Sequence, residues 1–350
     1  MKSAMMRIPY RLIGAIVFLA VSAAAQATLQ EGLDDYYRGN YKAALAEFKP
    51  LADDGDARAQ YQLGSMYDLG KGVKHDRQAA LTWFRKAAEQ GNVDAQVSLG
   101  AAFADGAGVQ QDYIEALSWF RKAAQQGDRV AQYSLGVAYD NGQAVQQDTQ
   151  EALSWYRKSA VQGYAKAQYN LGIMYYSGEG VAKDYREALS WFRKAADRGD
   201  ADAQYNLGVM YDNGEGVPQD YNEAMKWYRE ADKQGNIAQA QLNLGEMYSV
   251  GRGVPQDYSE AVSWFRKAAA QGRLKAQYNL GMAYKDGLGV PVDLMQAYKW
   301  FDMAAQAGDE NAAAARKAVE VKMAFKKAET APVPKAHKKK QHAKKQKDSQ

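Results

Sequence analysis

Apolar and small residues recur along this chain with one fixed spacing. A Leu-Gly pair returns seven times, in steps of 36 residues except for one step of 37, and the seven Trp residues keep the same spacing. The pairs begin at Leu63, Leu99, Leu135, Leu171, Leu207, Leu244 and Leu280, and the Trp residues are Trp83, Trp119, Trp155, Trp191, Trp227, Trp264 and Trp300. A period of this size predicts a solenoid of stacked repeats rather than separate globular domains.

The first half of each period predicts an amphipathic helix. In the period 201–235, Ala203, Leu207 and Met210 fall on one helical stripe. Gly208 interrupts this stripe, although Gly costs about 1 kcal/mol in a helix relative to Ala. Its return in every period predicts a close helix crossing, and we expect the Trp of the second helix to lie against it.

The second half of each period predicts a turn and a second helix. A Gly-x-Gly turn at 214–216 is followed by Asp220 and Glu223, which have the spacing of a helix-capping box. The helix carries Trp227 on its apolar face, which we interpret as a core residue, and is expected to end near Gly235. Two helices this short are marginal alone, so neighbouring repeats must stack.

The residue order within each period is specific. It reads A-x-A-Q-Y-x-L-G-x-M-Y, then G-x-G-V-x-x-D, then E-A-x-x-W-[FY]-x-K-A-A-x-Q-G. This order resembles the Sel1-like repeat, a relative of the tetratricopeptide repeat (TPR). The resemblance implies an all-α fold, a right-handed α/α solenoid of Sel1-like, TPR-like helical hairpins. We assign seven repeats to 55–308, a shortened N-terminal repeat or cap to 28–54 and a C-terminal capping helix to 309–329. Gln143 and Ala144 depart from the double-glycine turn in one repeat.

The resemblance also implies that the first helices line the inner face of the solenoid. Two of the inward positions carry Tyr and Asp in most repeats. They are Tyr61, Tyr133, Tyr169, Tyr205 and Tyr278 at one position, and Asp68, Asp140 and Asp212 at the other. Rigid Tyr rings beside carboxylates suit the capture of a protein or peptide segment in a concave groove. The alternative is that the Tyr rings pack between adjacent first helices.

The N-terminal segment has the layout of a secretory signal peptide. Lys2, Arg7 and Arg11 precede a run of ten apolar residues and an A-x-A cleavage site, so we expect cleavage after Ala27. The apolar run is shorter than the roughly 20 residues that span a bilayer. The mature protein is therefore predicted to be periplasmic or secreted.

The C-terminal segment, residues 330–350, is rich in Lys and is expected to be disordered. We predict contact with an anionic envelope polymer or lipid. The candidate contact residues are Lys338, Lys339, Lys340, Lys344 and Lys345. The alternative is a tail that only keeps the protein soluble. We do not expect nucleic acid as a partner, because it is absent from the predicted compartment and residues 28–315 carry a net charge of −8.

The composition excludes several kinds of chemistry. The chain has no Cys and three His, of which His337 and His342 lie in the Lys-rich segment. Thiolate metal sites, Cys nucleophiles and His-rich sites are therefore excluded, and we predict no catalytic residue, cofactor or metal.

The prediction is thus an exported non-catalytic scaffold or adaptor with an unidentified protein or peptide partner. One alternative is a β-lactamase-like or other cell-wall-acting enzyme, since some secreted members of the family are described as β-lactam-binding or β-lactamase-like. Those members resemble disulfide-stapled repeats, whereas this chain has no Cys. Another is an envelope module associated with the cell wall or with lipid.

Overall fold

The computed structural model describes residues 25–329, which form seventeen helices and no strand. The chain divides into two units, Met1–Gln219 and Asp220–Gln350, and each is described by itself. The first unit contains α1 (25–37), α2 (Tyr41–Asp53), α3 (Ala57–Leu69), α4 (Arg77–Glu89), α5 (Val93–Asp105), α6 (Tyr113–Gln125), α7 (Arg129–Asn141), α8 (Thr149–Val161), α9 (Ala165–Ser177), α10 (Tyr185–Ala196) and α11 (Ala201–Asn213). The second contains α12 (Tyr221–Gly235), α13 (Ala238–Val250), α14 (Tyr258–Ala270), α15 (Leu274–Asp286), α16 (Leu294–Gln306) and α17 (Glu310–Glu329).

Aspartate side chains begin the second helix of every repeat. In α10, the Asp184 carboxylate accepts hydrogen bonds from the backbone N–H groups of Arg186 and Glu187 at 2.9 and 3.1 Å. Such caps satisfy N–H groups that the first helical turn leaves without a partner. The equivalent capping residues are Asp76, Asp112, Asp148, Asp220, Asp257 and Asp293. The predicted starts of the second helices are confirmed.

In six of the seven Leu-Gly pairs, the glycine lies against an aromatic ring of the second helix, but this ring is not Trp. A Cβ atom added to Gly172 would lie 2.5 Å from two ring carbons of Phe192, the residue after Trp191. The same crossing pairs Gly64, Gly100, Gly136, Gly245 and Gly281 with Phe84, Phe120, Tyr156, Phe265 and Phe301. The prediction that Trp faces the glycine is wrong. Gly32 of α1 and Phe48 of α2 form the same pair, so the N-terminal hairpin repeats this crossing.

Trp residues instead pack at the junction with the preceding repeat, and this holds for Trp83, Trp119, Trp155, Trp191 and Trp300. Trp191 of α10 is half-buried against a cluster that includes Leu153 of α8 and Leu171 of α9. Its indole N–H donates to Glu187 at 2.9 Å, and the Lys194 ammonium lies 3.7 Å from the ring centroid. The interpretation of Trp as core holds for Trp119 and Trp227, whereas Trp83, Trp155, Trp191, Trp264 and Trp300 are half-buried.

The second glycine of the turn between the two helices allows successive repeats to approach closely. In the first unit, Gly216 has φ +72°, and an added Cβ would lie 2.6 Å from the carbonyl oxygen of Tyr185, where α10 begins. In the repeat that has Ala144 in place of this glycine, Ala144 adopts φ 56°, a left-handed conformation that favours glycine. The turn geometry is therefore kept without the glycine.

The extra residue of the one 37-residue step lengthens a helix instead of a turn. The helix α12 runs through Gly235, and Asn236 takes the left-handed C-cap conformation at φ 50°. The predicted end of the helix near Gly235 is confirmed, but the C-cap residue is Asn236 and not the glycine. Asn tolerates the left-handed region better than most non-Gly residues, which explains how it terminates the helix.

A row of glutamine side chains joins the first and second helices within repeats, with the first-helix glutamine buried. The Gln162 amide donates to the Gln132 side-chain oxygen and to the Gly127 carbonyl, each at 2.8 Å. One repeat later, Arg198 occupies the position of Gln162, and the buried side-chain oxygen of Gln168 has no hydrogen-bond partner. A buried acceptor without a partner is destabilising.

We therefore expect Arg198→Gln to raise the free energy of unfolding by about 1 kcal/mol, because the new amide can donate to Gln168. Urea denaturation followed by circular dichroism measures the change. The reciprocal variant Gln162→Arg should lower the same quantity by about 1–3 kcal/mol, since it leaves Gln132 without its donor. Equal stabilities for the two variants would contradict this account of the row.

The last helix, α17, packs on α16 in the second unit. Ala312 and Val319 are buried there, while Val321 and Phe325 are exposed.

Among residues 25–329, no helix combines the length and the apolarity that a membrane crossing requires.

Candidate functional site

The five predicted groove tyrosines lie on first helices and are half-buried. The ring centroid of Tyr169 lies 5.9 Å from that of Phe192 in the second helix of the same repeat. Tyr61, Tyr133 and Tyr278 lie in the same way against Phe84, Tyr156 and Phe301, at 5.7, 5.8 and 5.6 Å. One side of each of these four rings therefore packs against the second helix, while the residue as a whole stays partly open to solvent.

The phenol groups of Tyr61, Tyr133 and Tyr169 are in their protonated form at neutral pH. Burial raises the pKa of Tyr61, Tyr133 and Tyr169 above the usual value of 10.0. Burial and the hydrogen bond to Glu215 raise the pKa of Tyr176 to about 12, with the hydroxyl 2.8 Å from the carboxylate. Along these first helices the tyrosines act as hydrogen-bond donors rather than as charges.

The three predicted groove aspartates differ in their surroundings. Asp68 lies 3.6 Å from the Arg77 guanidinium, and Asp140 accepts a hydrogen bond from the Tyr156 hydroxyl at 3.1 Å. Asp212 is half-buried on α11. Asp68 and Asp140 therefore already interact with side chains of the first unit before any ligand binds.

Hollows open on the first-helix surface at three equivalent places. The Ala102 hollow, of about 360 Å³, lies between α3, α4 and α5 and brings Tyr61 and Asp68 together. The Ala138 hollow, of about 290 Å³, lies between α5, α6 and α7 and is lined by Tyr133. The Ala283 hollow, of about 190 Å³, lies between α13, α14 and α15 in the second unit.

One residue position accounts for these hollows. The third residue after each Leu of the Leu-Gly pairs is Met in four repeats and Ala in three, and the three hollows occur at the three alanines. The Met side chains are buried, and the Met66 methyl group lies 3.0 Å from where a Cβ of Gly72 would be. Alanine leaves this space open, because it lacks the long thioether side chain that fills irregular gaps.

The hollows were not predicted from the sequence, although the alternation of Met and Ala at this position is visible there. Their floors are apolar: Leu81 and Phe84 lie beneath the Ala102 hollow, and Leu117 and Phe120 beneath the Ala138 hollow. Asp105 lines both hollows. Apolar hollows bordered by phenols and a carboxylate are suited to binding side chains.

No group of three or more His, Asp and Glu residues in the part of the chain that the structure describes could hold a metal ion. The predicted contact residues Lys338, Lys339, Lys340, Lys344 and Lys345 lie outside the described residues. The same is true of residues 1–24 of the predicted signal peptide.

Comparison with known proteins gives one family. The Sel1 repeat model matches seven segments, at residues 57–92, 93–128, 129–164, 165–200, 201–236, 238–272 and 274–309. Among curated proteins, none matches the chain.

Two solved structures are similar over most of the chain. The protective antigen c5321 of uropathogenic Escherichia coli is 35% identical, with a TM-score of 0.79 over 89% of this chain and 67% of its own. A Sel1 repeat protein from Oxalobacter formigenes is 33% identical, with a TM-score of 0.64 over 85% of this chain and 90% of its own. Sel1 repeat solenoids are typical scaffolds for protein–protein interaction and are generally non-catalytic. The predicted fold class is confirmed, and the chain belongs to the Sel1 repeat family.

Proposed function

We propose that this protein is an exported, non-catalytic scaffold that holds a segment of a protein partner on the surface formed by its first helices. The observation that carries the proposal is the alignment, within the first unit, of half-buried tyrosines and apolar hollows on the surface of its first helices. Partly exposed Tyr rings offer large contact area at low entropic cost, and hollows accept apolar side chains.

The support for binding comes from the way the first-helix surface is built. The rings of Tyr61, Tyr133, Tyr169 and Tyr278 are held from behind by a second helix. A ring that is already packed loses little freedom when a ligand covers its other side. The rings on this surface therefore already have fixed positions before a ligand binds.

The proposed location and envelope contact rest on the two ends of the chain. The charged start, the short apolar run and the A-x-A site of residues 1–27 support export. Seven Lys against one Asp in residues 330–350 support attraction to an anionic envelope polymer or lipid, which salt would weaken.

Site-specific photocrosslinking tests the proposal. A benzoylphenylalanine at Ser134, which lines the Ala138 hollow on α7, should give a discrete adduct with one protein in the cells that naturally make this chain. The matched control is the same residue at Gln125, which is exposed at the end of α6 and forms no side of a hollow.

A discrete adduct at Ser134 that is missing at Gln125 would support partner capture by the first-helix surface. Equal adducts from both positions, or none from Ser134, would contradict it. Circular dichroism of both variants checks that the crosslinking residue has not unfolded the repeat.

A further inference from the structure

The Ala102 and Ala138 hollows belong to successive repeats of the first unit. Both are lined by Ala101 and Asp105 of α5, so they are neighbours on either side of this helix. They follow from two consecutive repeats that carry Ala where the sister repeats carry Met. The result is a pair of openings, one on each side of α5.

Each of the two hollows has an apolar floor, and the ridge that α5 forms between them is acidic. Phe84 and Phe120, each 7% exposed, form part of the two floors. On the ridge, Asp105 is exposed and forms no ion pair within residues 25–329. The other carboxylate of the Ala102 hollow, Asp68, already lies 3.6 Å from Arg77. The uncompensated charge at this place is therefore negative.

The separation of the hollows limits how a ligand can fill both. Packed helices lie about 8–10 Å apart, and the hollows are separated by one such step. Three residues of a polyproline II segment span about 9 Å and complete one turn, so side chains three positions apart point to the same side. Two such side chains of a polyproline II segment can therefore reach the two hollows.

We propose that the Ala102 and Ala138 hollows receive two large apolar side chains, three residues apart, of one partner segment in the polyproline II conformation, and that Asp105 selects a Lys or Arg between them. This inference rests on the proposed function and specifies the chemistry of the partner segment. Charge complementarity supports a basic ligand, since residues 28–315 carry a net charge of −8. The Ala residues at 102 and 138 are specificity-determining because Met at either position closes its hollow.

Binding of a defined synthetic peptide to the full mature chain tests the inference. The probe is a Gly/Ser-flanked peptide with the core Leu-Lys-Ser-Phe, and calorimetry measures its Kd. Ala102→Met and Ala138→Met should each weaken binding about tenfold or more, because each removes the burial of one large apolar side chain. Met already occupies this position in four sister repeats, so both variants are expected to fold.

The controls separate the two parts of the recognition. Ala283→Met fills the equivalent hollow of the second unit and should leave peptide affinity unchanged. A peptide with Glu in place of Lys should bind the wild type more weakly, and Asp105→Asn should reduce that difference. Peptide binding that survives Ala102→Met and Ala138→Met, a lack of preference for Lys, or no binding by the wild type would overturn the inference.

The outcome is distinguishable from failure of the proposed function. If Ser134 crosslinks to a natural partner while the peptide results are negative, the scaffold function stands and the inferred ligand chemistry is wrong. If Ser134 gives no adduct, the scaffold function itself fails.

Discussion

Phe192→Ala should lower the free energy of unfolding by about 3–5 kcal/mol, the largest loss expected for a single side chain in a repeat. Phe192 is completely buried, and its ring fills the space that the missing side chain of Gly172 leaves on α9. The glycine and the ring form one close crossing, so the surrounding helices cannot collapse into the cavity without shifting against each other. Urea denaturation followed by circular dichroism measures the loss.

The adjacent residue is the matched control. Trp191 is larger but half-buried, and its indole already has Glu187 and Lys194 as neighbours near the surface. Trp191→Ala should cost about 1–2 kcal/mol, because less apolar area returns to water. A loss at Trp191 that equals or exceeds the loss at Phe192 would contradict the assignment of Phe192 as the central ring of the repeat.

This pair shows what the spacing of residues can predict and what it cannot. The repeat period, the two helices per repeat and the Asp that begins each second helix are all visible in the sequence, because each has its own local physical cause. The identity of the ring that faces Gly172 is not visible. Trp191 and Phe192 both recur in register, and they point about 100° apart around the helix. Only the packing of the two helices decides between them.

The candidate site also has features that the sequence predicts and features that it does not. The placement of Tyr61 and Tyr133 on one first-helix surface follows from the repeat, but the contacts of their rings with the second helix do not. The hollows depend on the absence of a side chain at Ala102 and Ala138. An absent side chain produces no hydrophobic pattern of its own, so it is recognised only by comparison with the Met of sister repeats.

Gly216→Ala is expected to lower the free energy of unfolding by about 2–4 kcal/mol, for two separate reasons. The residue has φ +72°, a conformation that an L side chain rarely adopts. In addition, the new Cβ would lie 2.6 Å from the carbonyl oxygen and 2.7 Å from the carbonyl carbon of Tyr185. These are backbone atoms at the start of α10, so they cannot move aside as a flexible side chain would.

Two further variants separate the two causes. Gly199 has φ +83° but no atom within 4 Å of an added Cβ, so Gly199→Ala should cost only the conformational part, about 1–2 kcal/mol. Ala144 already has a left-handed backbone conformation, at φ 56°, that is unfavourable for a residue with a side chain. Ala144→Gly removes this conformational strain and should raise the free energy of unfolding by about 1 kcal/mol. If Gly216→Ala and Gly199→Ala cost the same, the close approach of the turn to α10 contributes nothing. A larger loss at Gly216 means that this turn glycine contributes to the stacking of one repeat on the next, in addition to the shape of its own turn.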